Sequence, residues 1–365
     1  MPCETHTAFA YERGGKKRLT EVGPLSSIDW ERVGDDVSMA NMRLSASTCD
    51  ADLTNLEPGR HEIVIFRGEQ RVWEGPLTYA TFYGDVIELQ ARDVMHYAYR
   101  TIMRRAYNNA YPNTATCIDR ASNILRTEFN RQWERINPPI NVLPYLTPIR
   151  RTGDSRTTRK TIAYQSTVFD DIDSMARTSG MDYTVVGRRI ILHDTDTALG
   201  RTPTLSELDI AGDVKVTVYG MEVAAFAAVT GGDGQVGTAN AVNGFPDPYY
   251  GAWEILDDAY DEDEGTDAPS QSELNSQAQR NVNARIPTPI ELRVQDGSSL
   301  ANTSPLYDVD LLVPGVQIPV IATFPLRRLS QMQKLRRVRW YEDETGERCE
   351  ITLLPTNSVI DDTEG

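Results

Sequence analysis

Between Ser26 and Asp93, runs of β-forming residues are cut by a turn signal every 8–12 residues or so. This pattern constrains the fold more than any other, because strands so short must join a meander or a small barrel to bury a face. Ser38–Leu44 sets Met39, Asn41 and Arg43 against Ser38, Ala40, Met42 and Leu44, which leaves either face available to a core. His61–Phe66 is rich in β-formers, and Arg67-Gly68-Glu69-Gln70 turns the chain into Arg71–Pro76. Leu77–Phe82 is a further strand. After Tyr83-Gly84-Asp85, Val86–Ala91 returns with Val86, Glu88 and Gln90 opposed to Ile87, Leu89 and Ala91.

From Asp93 the apolar period becomes helical. Asp93 is placed to cap a helix over 94–105 with Met95, Tyr99, Ile102 and Met103 on one side. Ile118, Ala121, Leu125, Phe129 and Trp133 predict a second helix, stopped by Asn137-Pro138-Pro139. The Pro- and Arg-rich stretch 138–160 reads as an excursion without an element of its own. Thr167 and Asp170 spell a capping box for a third helix, whose apolar face is Val168, Ile172, Met175 and Ala176. Gly180 is placed to end it, and a hairpin follows, Asp182–Val186 with Arg189–His193 around Gly187-Arg188.

Strand text resumes from Leu205. Val214–Tyr219 alternates, and Glu222–Thr230 is a candidate buried strand ending at Gly231–Gly234. A polar, then acidic, stretch at 234–268 interrupts the pattern. Ser270 and Glu273 open a fourth helix over 273–285, whose Leu274, Ala278 and Val282 stripe is expected to pack on the second β-module. Further strands are predicted at 290–294, 309–312, 317–323, 335–341 and 348–354, the last two pairing across Asp343–Gly346. The fold class is therefore mainly β with an α+β insert. Two barrel-like modules, 1–92 and 205–356, flank a helix-plus-hairpin unit at 93–204, and 357–365 is a flexible tail. No sequence repeat of about 20–50 residues is present.

Composition narrows the function. Acids outnumber bases by 53 to 37, a net charge of −16, which is the wrong sign for a protein that grips nucleic acid over its whole surface. Basic clusters are local: Arg100, Arg104 and Arg105; Arg150–Lys160; Arg327 and Arg328; Lys334–Arg339. The purest apolar run, Val223–Val229, falls far short of the roughly 20 residues of a membrane span. The first residues lack the apolar core of a signal peptide or anchor. Cys3, Cys49, Cys117 and Cys349 are scattered, so no zinc or redox pair is encoded, and buried thiols in a reducing compartment are expected.

The search for chemistry is equally spare. His6, His61, His96 and His193 sit in unrelated contexts, and His61 and Glu62 on a strand point to opposite faces. His193-Asp194-Thr195-Asp196 is the best metal-like cluster, although an Asp-rich turn at a strand end has the same spelling. In the acidic run Asp257–Asp267, Gly265 falls wrongly for a calcium loop. Gly231-Gly232-Asp233-Gly234 lacks the Lys-Ser/Thr of a phosphate loop and reads as a turn. No catalytic, cofactor-binding or metal residue is assigned, and the chain is not read as an enzyme.

Two phrases carry a resemblance. RVWEGPL at Arg71–Leu77, following the Arg-Gly-Glu turn, resembles the first β-module of siphophage tail-tip proteins, the minor tail (tail-associated) proteins of the baseplate hub. A longer phrase is similar to the second barrel of minor tail proteins from phages of actinobacteria. It comprises Glu273-Leu274-Asn275, Ala278, Arg280, Arg285-Ile286-Pro287, Glu291–Val294 and Leu312–Val320 with its Pro314-Gly315-Val316 turn. The resemblance covers 25–354. It implies a structural virion protein at the tail tip, assembled in the host cytoplasm, that closes a long non-contractile tail tube and opens for DNA passage. It implies a homotrimer whose paired modules continue the tube's sixfold symmetry and reduce it to threefold. The implied partners are the distal tail protein, the C-terminal end of the tape-measure protein and other minor tail or fibre proteins. DNA would be met only in transit through the lumen, with no stable membrane insertion. Acidic side chains are expected to line that lumen, with clusters such as Lys334–Arg339 serving neighbours or the outside. No fibre, collagen-like or peptidoglycan-cleaving extension is expected, so host-wall hydrolysis is not carried over from the resemblance. The competing readings are a host cell-wall hydrolase acting through Asp/Glu pairs of the insert and a carbohydrate-binding tail module using exposed Trp or Tyr.

Overall fold

The computed structural model describes residues 5–46, 53, 55–107, 117–149, 163–195, 197–231, 234–258, 271–294, 299–324 and 327–355. Among the described residues the chain is mainly β, with 47% strand and 18% helix. The expected tail at 357–365 lies outside the described residues, as do Cys3, Cys49, Asp196 and most of the acidic run beyond Asp258.

Seven strands open the chain: β1 (His6–Glu12), β2 (Arg18–Val22), β3 (Leu25–Val33), β4 (Met39–Ser45), β5 (His61–Arg67), β6 (Gln70–Tyr83) and β7 (Val86–Arg92). They pair antiparallel in the order β3-β4-β7-β6-β5-β1-β2. On β4 the face left open by alternation is decided: Ala40, Met42 and Leu44 are buried. β6 merges two expected strands into one. Its first half pairs with β5 and its second with β7, and the register shift between Leu77 and Tyr79 bends it from one to the other.

The inserted unit contains α1 (His96–Tyr99), α2 (Cys117–Ile124), α3 (Arg131–Trp133) and α4 (Val168–Ser179), with β8 (Tyr145–Ile149), β9 (Met181–Val186) and β10 (Arg189–Asp194). The capping box of α4 forms as the spelling requires: Thr167 Oγ1 accepts from Asp170 N at 3.2 Å, and Thr167 N donates to the Asp170 carboxylate at 2.9 Å. Gly180 closes the helix at φ +67°. The helix expected over 94–105 stops after one turn. Beyond it the backbone pairs sideways instead, Met103 N donating to Ser166 O and Val168 N to Thr101 O, which leaves Ile102 exposed. The second helix continues from α2 to α3 through a wider π turn at Leu125–Asn130, and of its predicted stripe Ile118, Ala121, Leu125 and Phe129 are fully buried while Trp133 is only partly so. The stretch 138–160 is not wholly an excursion. β8 lies within it and pairs parallel to β10, so the sheet order is β8-β10-β9.

The remaining strands are β11 (Ile210–Ala211), β12 (Val214–Val218), β13 (Phe226–Thr230), β14 (Val236–Asn240), β15 (Glu254–Asp258), β16 (Ile290–Val294), β17 (Ser299–Leu300), β18 (Gln317–Phe324), β19 (Arg327–Asp343) and β20 (Gly346–Pro355), with α5 (Gln271–Arg285) among them. The β19–β20 hairpin turns where expected, Asp343 facing Gly346. Val309–Leu312 is not a strand: the buried Arg32 guanidinium takes the Val309 carbonyl at 2.7 Å and the Leu312 carbonyl at 3.3 Å. Nor does α5 lie on the large sheet. Leu274, Ala278 and Val282 pack with Ala225, Ala227, Val229 and Ala241, making a separate core beneath the small sheet β14-β13-β15.

β19 unites the two β-modules. Arg327–Lys334 pairs with β18, whereas Arg337–Glu342 pairs with β3, setting Trp340 opposite Trp30. The described strands therefore run unbroken through β12-β16-β20-β19-β3 and on through the first module. One apolar core spans both, from Ile63 and Leu89 through Trp30 and Trp340 to Leu312 and Leu353.

Candidate functional site: three buried polar joints

Three clusters of buried charge sit where parts of the chain meet. The first is built on the RVWEGPL phrase. Trp73 lies in the core with its indole N–H donating to Ser38 Oγ at 3.2 Å. Gly75 passes so close to the backbone that a Cβ there would stand 1.9 Å from Arg92 O. Between them Glu74 faces Arg188, from the turn of the β9–β10 hairpin. The Arg188 guanidinium bridges Glu62 at 2.5 Å and Glu74 at 3.0 Å, and both carboxylates are buried. Glu62 also accepts from Tyr97 OH at 2.7 Å and from Gly14 N at 3.0 Å, while Arg71 pairs with Glu74. Burial raises the Glu74 pKa against the pull of Arg188 and Arg71, and burial next to Glu62 raises that of Tyr97. His61 and Glu62 do not act together: His61 Nδ1 accepts from Glu57 N at 2.9 Å, on the other side of β5.

The second joint gathers residues from all three parts. Asp35, at φ +58°, accepts from Tyr183 N at 2.7 Å and pairs with Arg336 at 2.5 Å. Asp182 pairs with Lys334 and accepts from Thr195 Oγ1 at 2.9 Å. Burial, with Asp182 nearby, drives the Asp35 pKa up. Burial works the same way on Asp182 and is the largest single influence there, but Lys334, His193 and the Thr195 hydroxyl together outweigh it and hold that carboxyl below its ordinary range. The expectation that Lys334–Arg339 serves neighbours or the outside is therefore corrected. Alternation along β19 sends Lys334 and Arg336 to this joint, and Arg337 and Arg339 to Glu31 and Asp29 of β3 at 2.7 and 2.9 Å. The cluster is an internal clamp.

The third joint fastens β1 to the β19–β20 hairpin. Trp30 donates its indole N–H to His6 Nε2 at 3.0 Å, so the His6 proton resides on Nδ1, which donates to Glu342 at 2.8 Å. Trp30 stacks on Trp340 with ring centroids 6.0 Å apart. Arg67 forms a two-pronged pair with Glu347, both contacts at 2.7 Å.

The sequence clusters considered for chemistry lie only partly within the described residues. His193 is buried, its Nδ1 3.0 Å from Asp194 O, and burial lowers its pKa. Asp257 accepts from Asn281 of α5 at 3.0 Å and so fastens helix to sheet. Among the described residues no group of three or more His, Cys, Asp or Glu is arranged to hold a metal ion. Cys117 and Cys349 are buried free thiols. Sequence reading missed the partnerships of Glu62, Glu74, Arg188, Asp35, Asp182, Glu342 and His6. One signal was available: Glu62 is a lone acid in the apolar strand HEIVIF, and such a residue demands a cation or donors.

No family model and no curated protein sequence matches this chain. Solved structures do. The 43 kDa tail protein of prophage MuSo2 from Shewanella oneidensis is 13% identical and superposes with a TM-score of 0.63 over 97% of this chain and 98% of its own. Prophage tail protein gp18 from Listeria monocytogenes EGD-e is 9% identical, with a TM-score of 0.62 over 95% of this chain and 94% of its own. The E. coli c3393 protein is described as a type VI secretion system component structurally similar to T4 bacteriophage tail proteins gp27 and gp5. It is 10% identical, with a TM-score of 0.54 over 95% of this chain and 76% of its own. The chain has the fold of phage tail proteins.

Proposed function

We propose that this chain is a structural hub subunit of a phage-type tail. The observation that carries the reading is the end-to-end fold match, 97% of this chain against 98% of the prophage MuSo2 tail protein. Chemistry supports it too: the buried charges of the three joints pair with one another across parts of the chain, as suits a load-transmitting body. In this reading the chain is a homotrimer at the tip of a long non-contractile tail. Its modules 1–92 and 205–356 contribute to a ring, and 93–204 projects from it. The ring closes the tube, meets the distal tail protein above and the end of the tape-measure protein within, carries other minor tail or fibre proteins, and opens for DNA. The role is non-enzymatic, with no catalytic, cofactor or metal residue.

Electron cryomicroscopy of virions carrying an epitope on this chain tests the reading. Label at the tail tip with threefold symmetry is the expected result, whereas label along the tube or on the capsid overturns it. Incubation of the purified chain with host wall material checks the enzymatic alternative. Release of soluble fragments, abolished by a single Asp or Glu substitution, would establish a hydrolase instead.

A further inference from the structure

We propose that neighbouring copies of this chain join head to tail, the acidic and apolar outer face of the β13–β15 sheet of one copy docking on the arginine-lined groove beside β8 of the next. The inference deepens the ring-forming reading above and rests on it.

The first observation is charge. Residues 93–204 contain 16 basic and 11 acidic residues, whereas 220–286 contain 12 acidic and only 2 basic. One chain thus carries two parts of opposite sign, an arrangement suited to docking between copies.

The second observation is a sheet face that carries large exposed apolar side chains among the described residues. α5 covers one side of the small sheet. On the other, alternation presents Phe226, Val236 and Leu256, Leu256 being 71% and Val236 42% exposed. Phe245 extends the surface, its ring 5.4 Å from that of Phe226. Glu254, in register with Phe226, has no ion-pair partner among the described residues. Large exposed apolar side chains on one sheet face mark a surface that is covered in an assembly.

The third observation is the groove, about 360 Å³, lined by Arg126, Arg189, Tyr145, Asn130, Asn141 and Leu143 among others. The Arg189 guanidinium sits 5.8 Å from the Tyr145 ring centroid, which leaves its N–H edge available, and Tyr145 is 60% exposed. Neither Arg126 nor Arg189 meets a carboxylate among the described residues, and Asn141 Oδ1 is buried without a donor. Two guanidiniums, an aromatic face and amides take an apolar strand flanked by carboxylates. Among the described residues β8 and β15 are each edge strands of their sheets.

Electrostatics selects the head-to-tail arrangement. A twofold contact made through either surface alone would bring acid to acid or arginine to arginine, whereas patch on groove pairs opposite signs at every repeat. A contact of this heterologous kind closes into a ring when its rotation divides the circle.

The experiment is light scattering and sedimentation of the full chain. Two variants alter exposed residues only: Glu254→Ser with Leu256→Ser on the sheet face, and Arg126→Ser with Arg189→Ser in the groove. Circular dichroism and melting first establish that both fold. Each alone is expected to weaken association by about tenfold or more. Mixed in equal amounts they are expected to give a dimer and nothing larger, because one intact patch meets one intact groove while the other two surfaces are broken. Raising salt from 0.1 to 1 M, which shortens the screening length from about 10 to about 3 Å, should weaken the wild-type contact. A wild-type oligomer unmoved by both variants overturns the proposed contact and leaves the ring standing. A wild-type chain that stays monomeric at every concentration overturns the contact and the ring reading together.

Discussion

The inserted unit and the small β13–β15 unit hang from the same continuous sheet, yet they are held in opposite ways. The insert has a core of large side chains, Phe129, Tyr183, Ile172 and Leu192 among them, and is bolted to the sheet by Arg188 in the first joint and Asp182 in the second. The small unit has a core dominated by alanine, with Leu274 and Val282 from α5, and its ion pair Arg285–Glu222 at 3.7 Å is internal. Buried ion pairs are costly to desolvate and return little net stability, but they fix one geometry because any other leaves a bare charge. Small apolar side chains fix no such geometry; they let helix and sheet approach closely. The insert is thus a fixed projection of the sheet, and the small unit is a separately stabilised platform whose outer face exposes Leu256 and Val236.

The strongest way to break this comparison is Arg188→Ala. It strands Glu62 and Glu74 in a buried site with only Arg71, Tyr97 and backbone N–H groups as company. Such a loss costs about 3–5 kcal/mol, read by chemical denaturation of the whole chain. A cost below about 1 kcal/mol would mean that water or movement solvates the joint and that the insert is not bolted. Next comes Leu274→Ala, expected to cost about 2–5 kcal/mol, but within the small unit alone. Hydrogen exchange should rise across α5, β13, β14 and β15 while the protection of β19 and β3 is unchanged. If exchange rises equally in both, the small unit is part of the main cooperative body and the distinction fails.

The elements legible in the sequence were those whose signals are local. The Thr167–Asp170 capping box, Gly180, the Gly187-Arg188 turn and the Asp343–Gly346 turn are spelled within a few residues, and each forms where it was read. What the sequence hid depends on partners far away. Val309–Leu312 has strand spelling, but Arg32, nearly 280 positions earlier, takes its carbonyls. β8 sits in a Pro- and Arg-rich stretch and exists because β10 offers it an edge. The helix expected over 94–105 has a suitable stripe, yet backbone partners at 164–168 outcompete its second turn. The joints were hidden for the same reason. Asp35, Asp182 and Lys334 come from three separate stretches, and nothing local in any of them names the other two.

Glycine contacts test the two modes of attachment with smaller effects. At Gly75 an added Cβ would stand 1.9 Å from Arg92 O, and at Gly237 one would stand 2.2 Å from the Leu274 carbonyl carbon. Backbone cannot give way as a side chain can, so each alanine substitution is expected to cost about 1–3 kcal/mol. Gly75→Ala should lower the melting temperature of the whole chain. Gly237→Ala should lift α5 from its sheet and expose that unit to protease first. The reverse pattern would exchange the roles assigned to the two regions.

Acidity supplies the mildest test, because the buried carboxyls with raised pKa cited above lie where the sheet meets the insert. Asp93, at the exit from β7, accepts from Ser38 N and Oγ at 2.7 and 2.6 Å and from Met95 N at 2.8 Å, yet burial outweighs these donors and its pKa stands at about 7. Asp35 is raised for the same reason. A carboxyl with a raised folded pKa binds its proton more tightly folded than unfolded, so it stabilises the fold most below the unfolded value. That contribution is lost as pH rises from about 4 to about 7, at no more than about 1.4 kcal/mol per pH unit for each group. Asp182 has the opposite sign: its folded pKa is depressed, so its contribution is present above about 4 and lost only below. In the small unit Asp247 is likewise depressed, by N–H groups of Tyr250 and Tyr249, and adds no slope in this window. Buried His193 and half-buried His96 have lowered pKa values and oppose this decline below about pH 6.5. Protection of the insert against hydrogen exchange, corrected for intrinsic rates, should therefore fall chiefly between about pH 6 and 7 while that of the small unit stays level. Asp93→Asn should flatten the decline, since the amide cannot titrate. A slope of equal size in both regions, or one untouched by that substitution, would show that the attachment of the insert does not depend on the charge of its buried acids.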